Sequence, residues 1–383
     1  MKAIVFIPGY KGSFLKSGIT GERKWLTIKQ LIDKRETMKL TITAQGAVDK
    51  LSLVPDKIFD SLDIFPGIEL KNIHLTLENK LLKTYKNKFD VHFFTYDWRL
   101  DIFDTIKKLK EFLTNLYECS HYQEINVIGH SFGGYLLSYF LRYLDQDPEN
   151  SVETWGGTKF INKVVFMGVP FRGALKGLAY MHVDKNRIGL NDKLIDKYTT
   201  MSFPIAYQVL PYLDRDSLLL LNDNTQIPLD NLNNWMKYKI GLFNDASMTE
   251  DKKKTYYDFI RLYHTTGNLI MNKINAECKY ICPNKISILN IVSKKHLTPN
   301  CAYIELTSEK TTMHHYKNVN AKSNSEMYSK LTGIGDGLVL ERSALLPAAY
   351  KLQKHETHET LKNHDDMIRD EKVLNEIIAF IDR

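Results

Sequence analysis

The chain has 383 residues, 43% of them hydrophobic and 25% charged, with 11 prolines and 20 glycines, which excludes disordered, collagenous and low-complexity classes. Single cores stop growing near about 250 to 300 residues, so one large domain carrying insertions is expected. The net charge of +7 is spread along the chain rather than gathered in a stripe, which argues against nucleic acid as a partner and is compatible with peripheral contact to an anionic membrane surface.

In chain order, the first predicted strand is Ala3 to Ile7, halted by Pro8-Gly9. Val91 to Thr95, Ile125 to Ile128, Lys163 to Met167 and Ile286 to Val292 follow as further short β-branched or aromatic runs, the pattern of parallel strands buried on both faces. Helical patterns alternate with them. After Asp101, the residues Ile102, Phe103, Ile106, Leu109, Leu113 and Leu116 recur on one helix face; Leu136, Leu137, Phe140, Leu141 and Leu144 do so after the third strand, and Val373, Leu374, Ile377, Ile378 and Ile381 near the end. The expected fold class is α/β, a mostly parallel sheet with helices on both faces.

Two intervals break this rhythm, residues 14–88 and 174–285. The expected organisation is a core of residues 1–173 and 286–383, with 14–88 inserted early and 174–285 forming a helical lid. Within the lid, Ser247 and Glu250 are spaced as a capping box, and Lys252 to Lys254 is expected to be a solvated helix face. Cys119, Cys278, Cys282 and Cys301 have neither zinc-site spacing nor the pattern of a disulfide framework. No apolar run approaches the roughly 18 residues that cross a bilayer, and no secretory leader is recognisable, so the default location is cytoplasmic.

The segment Ile125-Asn-Val-Ile-Gly129-His130-Ser131-Phe132-Gly133-Gly134 reads as strand, GxSxG turn and helix. A serine on such a sharp turn needs neighbours without side chains, which Gly129 and Gly133 supply, and the turn aims the Phe132 N–H and the helix dipole at a developing oxyanion. Serine at its normal pKa is a weak nucleophile, so a histidine base and an orienting carboxylate must follow in the chain. Of His355, His358 and His364, only His364 sits in a loop directly before the last helix and is the expected base; the other two are expected at the surface rather than as a metal pair. The stretch from Ser293 to Ile304 holds no acidic residue. The expected acid is Asp336, between Gly335 and Gly337, which permit a tight loop; Glu305, Glu309, Glu326 and Glu341 are the weaker candidates. A second oxyanion donor is expected from the Pro8-Gly9-Tyr10-Lys11-Gly12 loop, as the N–H of Tyr10. No metal and no organic cofactor is required by this set.

Five patches in order, Ile7-Pro8-Gly9-Tyr10-Lys11-Gly12-Ser13, Tyr96-Asp97-Trp98-Arg99, Gly129 to Gly133, Gly168-Val-Pro-Phe-Arg-Gly173, and Gly335-Asp336-Gly337 with His364, resemble the lecithin:cholesterol acyltransferase family of α/β-hydrolases. Ser202-Phe203-Pro204 with Leu210-Pro211 is similar to that family's lid region. The resemblance implies an α/β-hydrolase acting on lipid, phospholipid-type carboxyl esters through an acyl-enzyme on Ser131, as hydrolase or acyltransferase. Asp97 and Arg99 are expected to form a buried structural ion pair beside the site. Phe203, Leu210 and Leu219 are candidates for the acyl-chain wall, with burial in the lid's own core as the alternative. Two competing readings are a soluble carboxylesterase or thioesterase for smaller acyl substrates, and a catalytically dead interaction protein of the same fold.

Overall fold

The structure is a computed structural model that describes residues 1–65, 68–120, 122–182, 190–245, 247–280, 282–307, 311–316, 318–320, 322 and 324–383. Its centre is a sheet of six parallel strands: β1 (Lys2–Ile7), β2 (Asp90–Phe93), β3 (Glu124–His130), β4 (Lys163–Met167), β5 (Ser287–Ser293) and β6 (Lys354–Thr360), in the spatial order β6-β5-β4-β3-β1-β2. Period-two alternation sends the four inner strands into two cores. Ala3, Val5, Ile7, Ile125 and Val127 face one side with the helices α2 (Ile102–Thr114) and α3 (Phe132–Tyr143). On the other side, Ile4, Phe6, Ile128, Val165 and Ile291 meet α1 (Leu75–Tyr85) and α5 (Glu371–Asp382). Both faces are therefore dry, which explains the continuous apolar runs.

Five of the six strands are legible as hydrophobic runs. The sixth, Lys354-His-Glu-Thr-His-Glu-Thr360, is polar almost throughout because it is an edge strand, where charge discourages pairing with other chains. His355 and His358 lie on this strand, the first exposed and the second half-buried. Their odd separation turns them to opposite sheet faces, so they do not pair as metal ligands.

The chain order reverses at β1, whose neighbours are β2 on one side and β3 on the other. Successive crossovers leave β1 and β3 toward opposite faces, opening a crevice at their carboxyl ends where ligands of such sheets bind. Ile7-Pro8-Gly9 and His130-Ser131 are the residues at that crevice.

The interval 14–88 contains a three-stranded sheet (Arg23–Trp25, Ser13–Ser17, Leu53–Ile58) and two hairpins. Its last part is α1, which packs on the central sheet as the β1 to β2 crossover, so the inserted part ends earlier than residue 88. The interval 174–285 holds short helices, the strand Leu218–Leu220 and the long helix α4 (Glu250–Asn275). The N-cap of α4 is Thr249, whose hydroxyl accepts from Lys252 N. Ser247 is instead taken up by Asp245, to which its N–H and hydroxyl both donate at 2.9 Å, so the expected Ser247 capping box does not form. Lys252 to Lys254 are exposed on α4. The Leu218–Leu220 strand pairs with Ala302–Leu306, and Leu219 packs with Tyr303 and Leu331. No helix of the described residues is long and apolar enough to cross a membrane.

Candidate active site

Ser131 is the cap between β3 and α3 and adopts φ 53° and ψ −123°, a conformation that costs a non-glycine residue energy and is kept only where surrounding contacts enforce it. Its N–H donates to the Met167 carbonyl at 2.8 Å. The neighbours must be bare: a Cβ on Gly129 would lie 2.6 Å from Gly134 Cα, and one on Gly133 would lie 2.3 Å from the Ile7 carbonyl oxygen.

The loop after β6 brings His364 to the serine, with Nε2 2.8 Å from Oγ of Ser131. Nδ1 lies 2.7 Å from Oδ2 of Asp336, and the His364 N–H donates to the Asp336 carbonyl at 2.9 Å. Oδ1 of Asp336 accepts the N–H groups of Leu338 and Val339 at 2.8 and 2.6 Å, which aims Oδ2 at the imidazole. All three side chains are buried. Burial disfavours the charged imidazolium, but the Asp336 carboxylate outweighs it, so the pKa of His364 is raised.

Asp336 reaches this position by a detour. After β5, His296–Pro299 pairs antiparallel with Thr332–Gly335, so residues 300–331 form an excursion and the acid returns to the end of β5. That excursion explains why the segment just after the strand lacks a carboxylate. Gly337 has φ +90°, and a Cβ on Gly335 would lie 2.2 Å from the Val339 carbonyl oxygen, so both glycines are needed for the loop. Among the weaker acid candidates, Glu305 pairs with His314, Glu326 with Lys330 and Glu341 with Lys294; Glu309 lies outside the described residues.

The turn after β1 closes with Gly12 N–H donating to the Gly9 carbonyl at 3.0 Å, and Lys11 takes the left-handed position at φ 66°. Tyr10 and Phe132 border the same cavity as Ser131, and Phe132, first in α3, has an N–H with no intrahelical acceptor. A Cβ on Gly9 would lie 2.9 Å from Cβ of Ser131. The Tyr96 to Arg99 segment braces this turn. Tyr96 OH donates to the Pro8 carbonyl at 2.7 Å, Trp98 Nε1 donates to Ser13 O, and the Trp98 ring meets that of Tyr10 edge-on. Arg99 is fully buried and bonds Asp97 through Nε (3.0 Å) and Nη2 (2.6 Å). Nη2 also bonds Asp49 at 2.6 Å, a third member from the early insertion that no sequence motif marked.

His130, inside the GxSxG motif, was not singled out by sequence. Its ring lies 5.0 Å from that of His364, its Nε2–H donates to the His364 carbonyl at 3.3 Å, and Nδ1 has no partner among the described residues. Burial, then the neighbouring His364 and His74, hold its pKa well below the ordinary value, so it is a neutral strut beneath His364.

Above Ser131 opens a cavity of about 140 Å³ whose apolar wall includes Pro170, Ile195, Ile205, Val209, Leu210 and Leu338. Of the three wall candidates, Leu210 lines it. Phe203 is instead buried against the Trp98 ring, and Leu219 belongs to the separate cluster around Tyr303. Among the described residues, the charged members of the lining are Lys11 and Lys176.

A six-stranded parallel sheet with a strained serine at the switch point, and a histidine and aspartate arriving on later loops, defines an α/β-hydrolase. The family model described as lecithin:cholesterol acyltransferase matches residues 59–330, and the chain belongs to that family. It is accordingly a serine hydrolase or acyltransferase of lipid esters. Among solved structures, it is similar to the one titled the Tle4-Tli4 complex, with 13% identity, a TM-score of 0.57, and coverage of 99% of this chain and 98% of that one. It also matches mature lipase BlEst2 of Bacillus licheniformis at 13% identity and a TM-score of 0.39, covering 99% of this chain and 91% of that one. No curated protein sequence matches the chain.

Proposed function

We propose that Ser131, His364 and Asp336 are the nucleophile, general base and orienting acid of this lipid-ester enzyme, with the N–H groups of Tyr10 and Phe132 as the oxyanion hole. The observation that carries the proposal is the continuous chain from Ser131 Oγ to His364 Nε2 at 2.8 Å and from Nδ1 to Asp336 at 2.7 Å. Asp336 keeps the proton on Nδ1, which leaves the Nε2 lone pair facing the hydroxyl. Oγ attacks the ester carbonyl as its proton passes to Nε2, and the carbonyl oxygen gains negative charge opposite the two N–H donors. Collapse expels the alcohol, which takes the proton from Nε2, and leaves the acyl group on Ser131. Water or an alcohol then gives its proton to Nε2, attacks the acyl-enzyme and restores the serine.

The substrate reading is a phospholipid-type ester: the apolar wall suits an acyl chain, and Lys11 and Lys176 at the same cavity suit an anionic head group. The test is mass spectrometry of lipids incubated with wild type and with Ser131→Ala. Loss of defined phospholipids with release of fatty acid or a new acyl ester, in wild type alone, is expected; consumption of short water-soluble esters and no lipid would favour the small-substrate esterase. Alanine at Ser131, His364 or Asp336 should each lower kcat by on the order of 10⁴.

A further inference from the structure

We propose that His130 is a positioning residue for His364: its Nε2–H holds the main chain of the base loop against the strand end that carries Ser131, and so fixes the gap across which the serine proton passes. The inference rests on the triad reading above, because it concerns how that triad is held.

The participants meet because of the sheet. His130 is the last residue of β3, one position before Ser131, and is in register with Met167 of β4. Period-two alternation puts it on the face of Ile128, the face covered by α1 and α5. His364 lies in the loop leading into α5, and His74 is the cap residue of α1. All three histidines are buried.

The main chain of His364 is held at two points. Its N–H donates to the Asp336 carbonyl at 2.9 Å, and its carbonyl accepts Nε2–H of His130 at 3.3 Å. The acid thus grips one end of this residue's backbone, and the segment of the nucleophile grips the other. The imidazole is confined as well. The His130 ring lies 5.0 Å from it at an interplanar angle of 36°, and a Cβ on Gly168 would lie 3.2 Å from both His364 Nδ1 and Asp336 Oδ2. Because residues 130 and 131 are adjacent at the end of a paired strand, the 2.8 Å between Ser131 Oγ and His364 Nε2 is set within one short unit.

Packing alone does not account for a histidine here. Ile128 shows that an apolar side chain suits this face, whereas Nδ1 of His130 is buried with no partner among the described residues, an arrangement that lowers stability. A stronger donor is equally unsuited. His364 becomes a cation in each turnover, so lysine or arginine at position 130 would set a like charge beside it. His130 stays neutral, because burial, then His364 and His74, hold its pKa well below the ordinary value. Its neighbours are themselves fixed. The His74 ring, 6.4 Å away at 76°, is anchored by Nδ1–H donating to the Phe59 carbonyl at 2.8 Å. Nδ1 of His130 adjoins the turn after β1, where a Cβ on Gly9 would lie 3.4 Å from it. The ring therefore spans from the base loop to that turn.

The experiment measures kcat and KM on a soluble short-chain ester for His130→Gln, His130→Asn and His130→Phe, each shown to be folded by its melting transition. Glutamine carries an amide N–H near the position of Nε2 and asparagine one near that of Nδ1, so only glutamine reaches the His364 carbonyl. His130→Phe and His130→Asn should lower kcat by on the order of 10² with KM unchanged, the loss expected of a base displaced by about 1 Å. His130→Gln should recover most of that loss. The same changes are then made in a His364→Ala background. With the base gone, His130→Phe should alter the residual kcat by less than about twofold, because a residue that acts through His364 has nothing left to position. A further loss on the order of 10² in that background, His130→Gln no better than His130→Asn, or His130→Phe at the wild-type kcat would each overturn the proposal. Should His130→Phe fail to fold, the comparison of Gln with Asn carries the test. Wild-type turnover by His364→Ala would overturn the triad reading itself; inactive His364→Ala beside fully active His130 variants would overturn this proposal alone.

Discussion

In the proposed mechanism, Asp336 and His364 set where on the pH axis Ser131 works. Burial by itself would lower the imidazole's affinity for a proton, but the adjacent carboxylate reverses the sign and holds its pKa above the ordinary value of about 6.5. The base must be neutral to accept the serine proton, so kcat/KM should fall as pH drops through that raised value, placing the acid limb above about 6.5. Asp336→Asn removes the raising charge and leaves burial, so the imidazole should titrate lower than in wild type. A ¹⁵N NMR titration of His364 in both proteins reads this directly, and an unchanged value would assign the shift to another group. Space is as demanding as charge at this scale. Gly133→Ala drives a Cβ to within 2.3 Å of the Ile7 and 2.6 Å of the Pro8 carbonyl oxygens, so it should cost about 1 to 3 kcal/mol and displace the oxyanion turn. Gly177→Ala meets nothing closer than 3.7 Å and should leave the melting temperature unchanged or slightly higher, which makes it the control.

Among the elements, α3 does two jobs from its two ends. Its first turn presents Ser131 and Phe132, while Arg142 near its last turn is fully buried, bonds Glu153 at 2.9 Å and donates to the carbonyls of Lys273, Ile274, Ala276 and Glu277. Those carbonyls belong to the C-terminal end of α4 and the residues after it, where orphan acceptors need donors. The helix capped by the proposed nucleophile Ser131 thus fastens the long helix α4. Arg142→Leu leaves Glu153 buried without its cation and the carbonyls unsatisfied, and should cost about 3 to 5 kcal/mol. Urea unfolding measures it; a loss below about 1 kcal/mol would mean that α4 is held by apolar packing instead. His364 shows the converse economy, since a single loop between β6 and α5 delivers the base and α5 anchors that loop through Val373, Leu374 and Ile377 in the second core.

At the scale of the molecule, the upper layer separates a cavity wall from a core of its own. Leu210 lines the cavity and touches the Gly173 turn, where a Cβ would lie 2.6 Å from its carbonyl, whereas Leu219 packs with Tyr303 and Leu331 in a separate cluster. Leu210→Trp should therefore shift preference toward shorter acyl chains. Leu219→Ala should cost about 1 to 3 kcal/mol and leave the chain-length profile unaltered. Activity on a series of short to long acyl esters, with melting temperatures, separates the two; a Leu210 variant with an unaltered profile would remove it from the wall.

Much of the centre was legible in sequence. Strands buried on both faces must be apolar runs, and a serine forced into a left-handed turn must have bare neighbours, so five strands, the GxSxG turn, His364 before the last helix and Asp336 between glycines all left marks. The edge strand Lys354–Thr360 left none, because an edge is kept polar, and its histidines therefore read only as surface residues. The leucine run at residues 218–221 carried burial but not its location, since apolar residues look alike whether they face a substrate or a neighbouring strand. What only the tertiary structure decided is every pairing across long sequence distance: the antiparallel return that brings Asp336 to the end of β5, Asp49 against Arg99, the His130 bond to the His364 carbonyl, and the clamp of Asn191 on residues 30–36. The sequence alone determined which residues are candidates for the chemistry, because conformational and burial constraints act locally on residue type. Which of them meet is set by chain closure over separations from 28 to 233 residues, and that depends on the packing of the whole sheet and its two insertions.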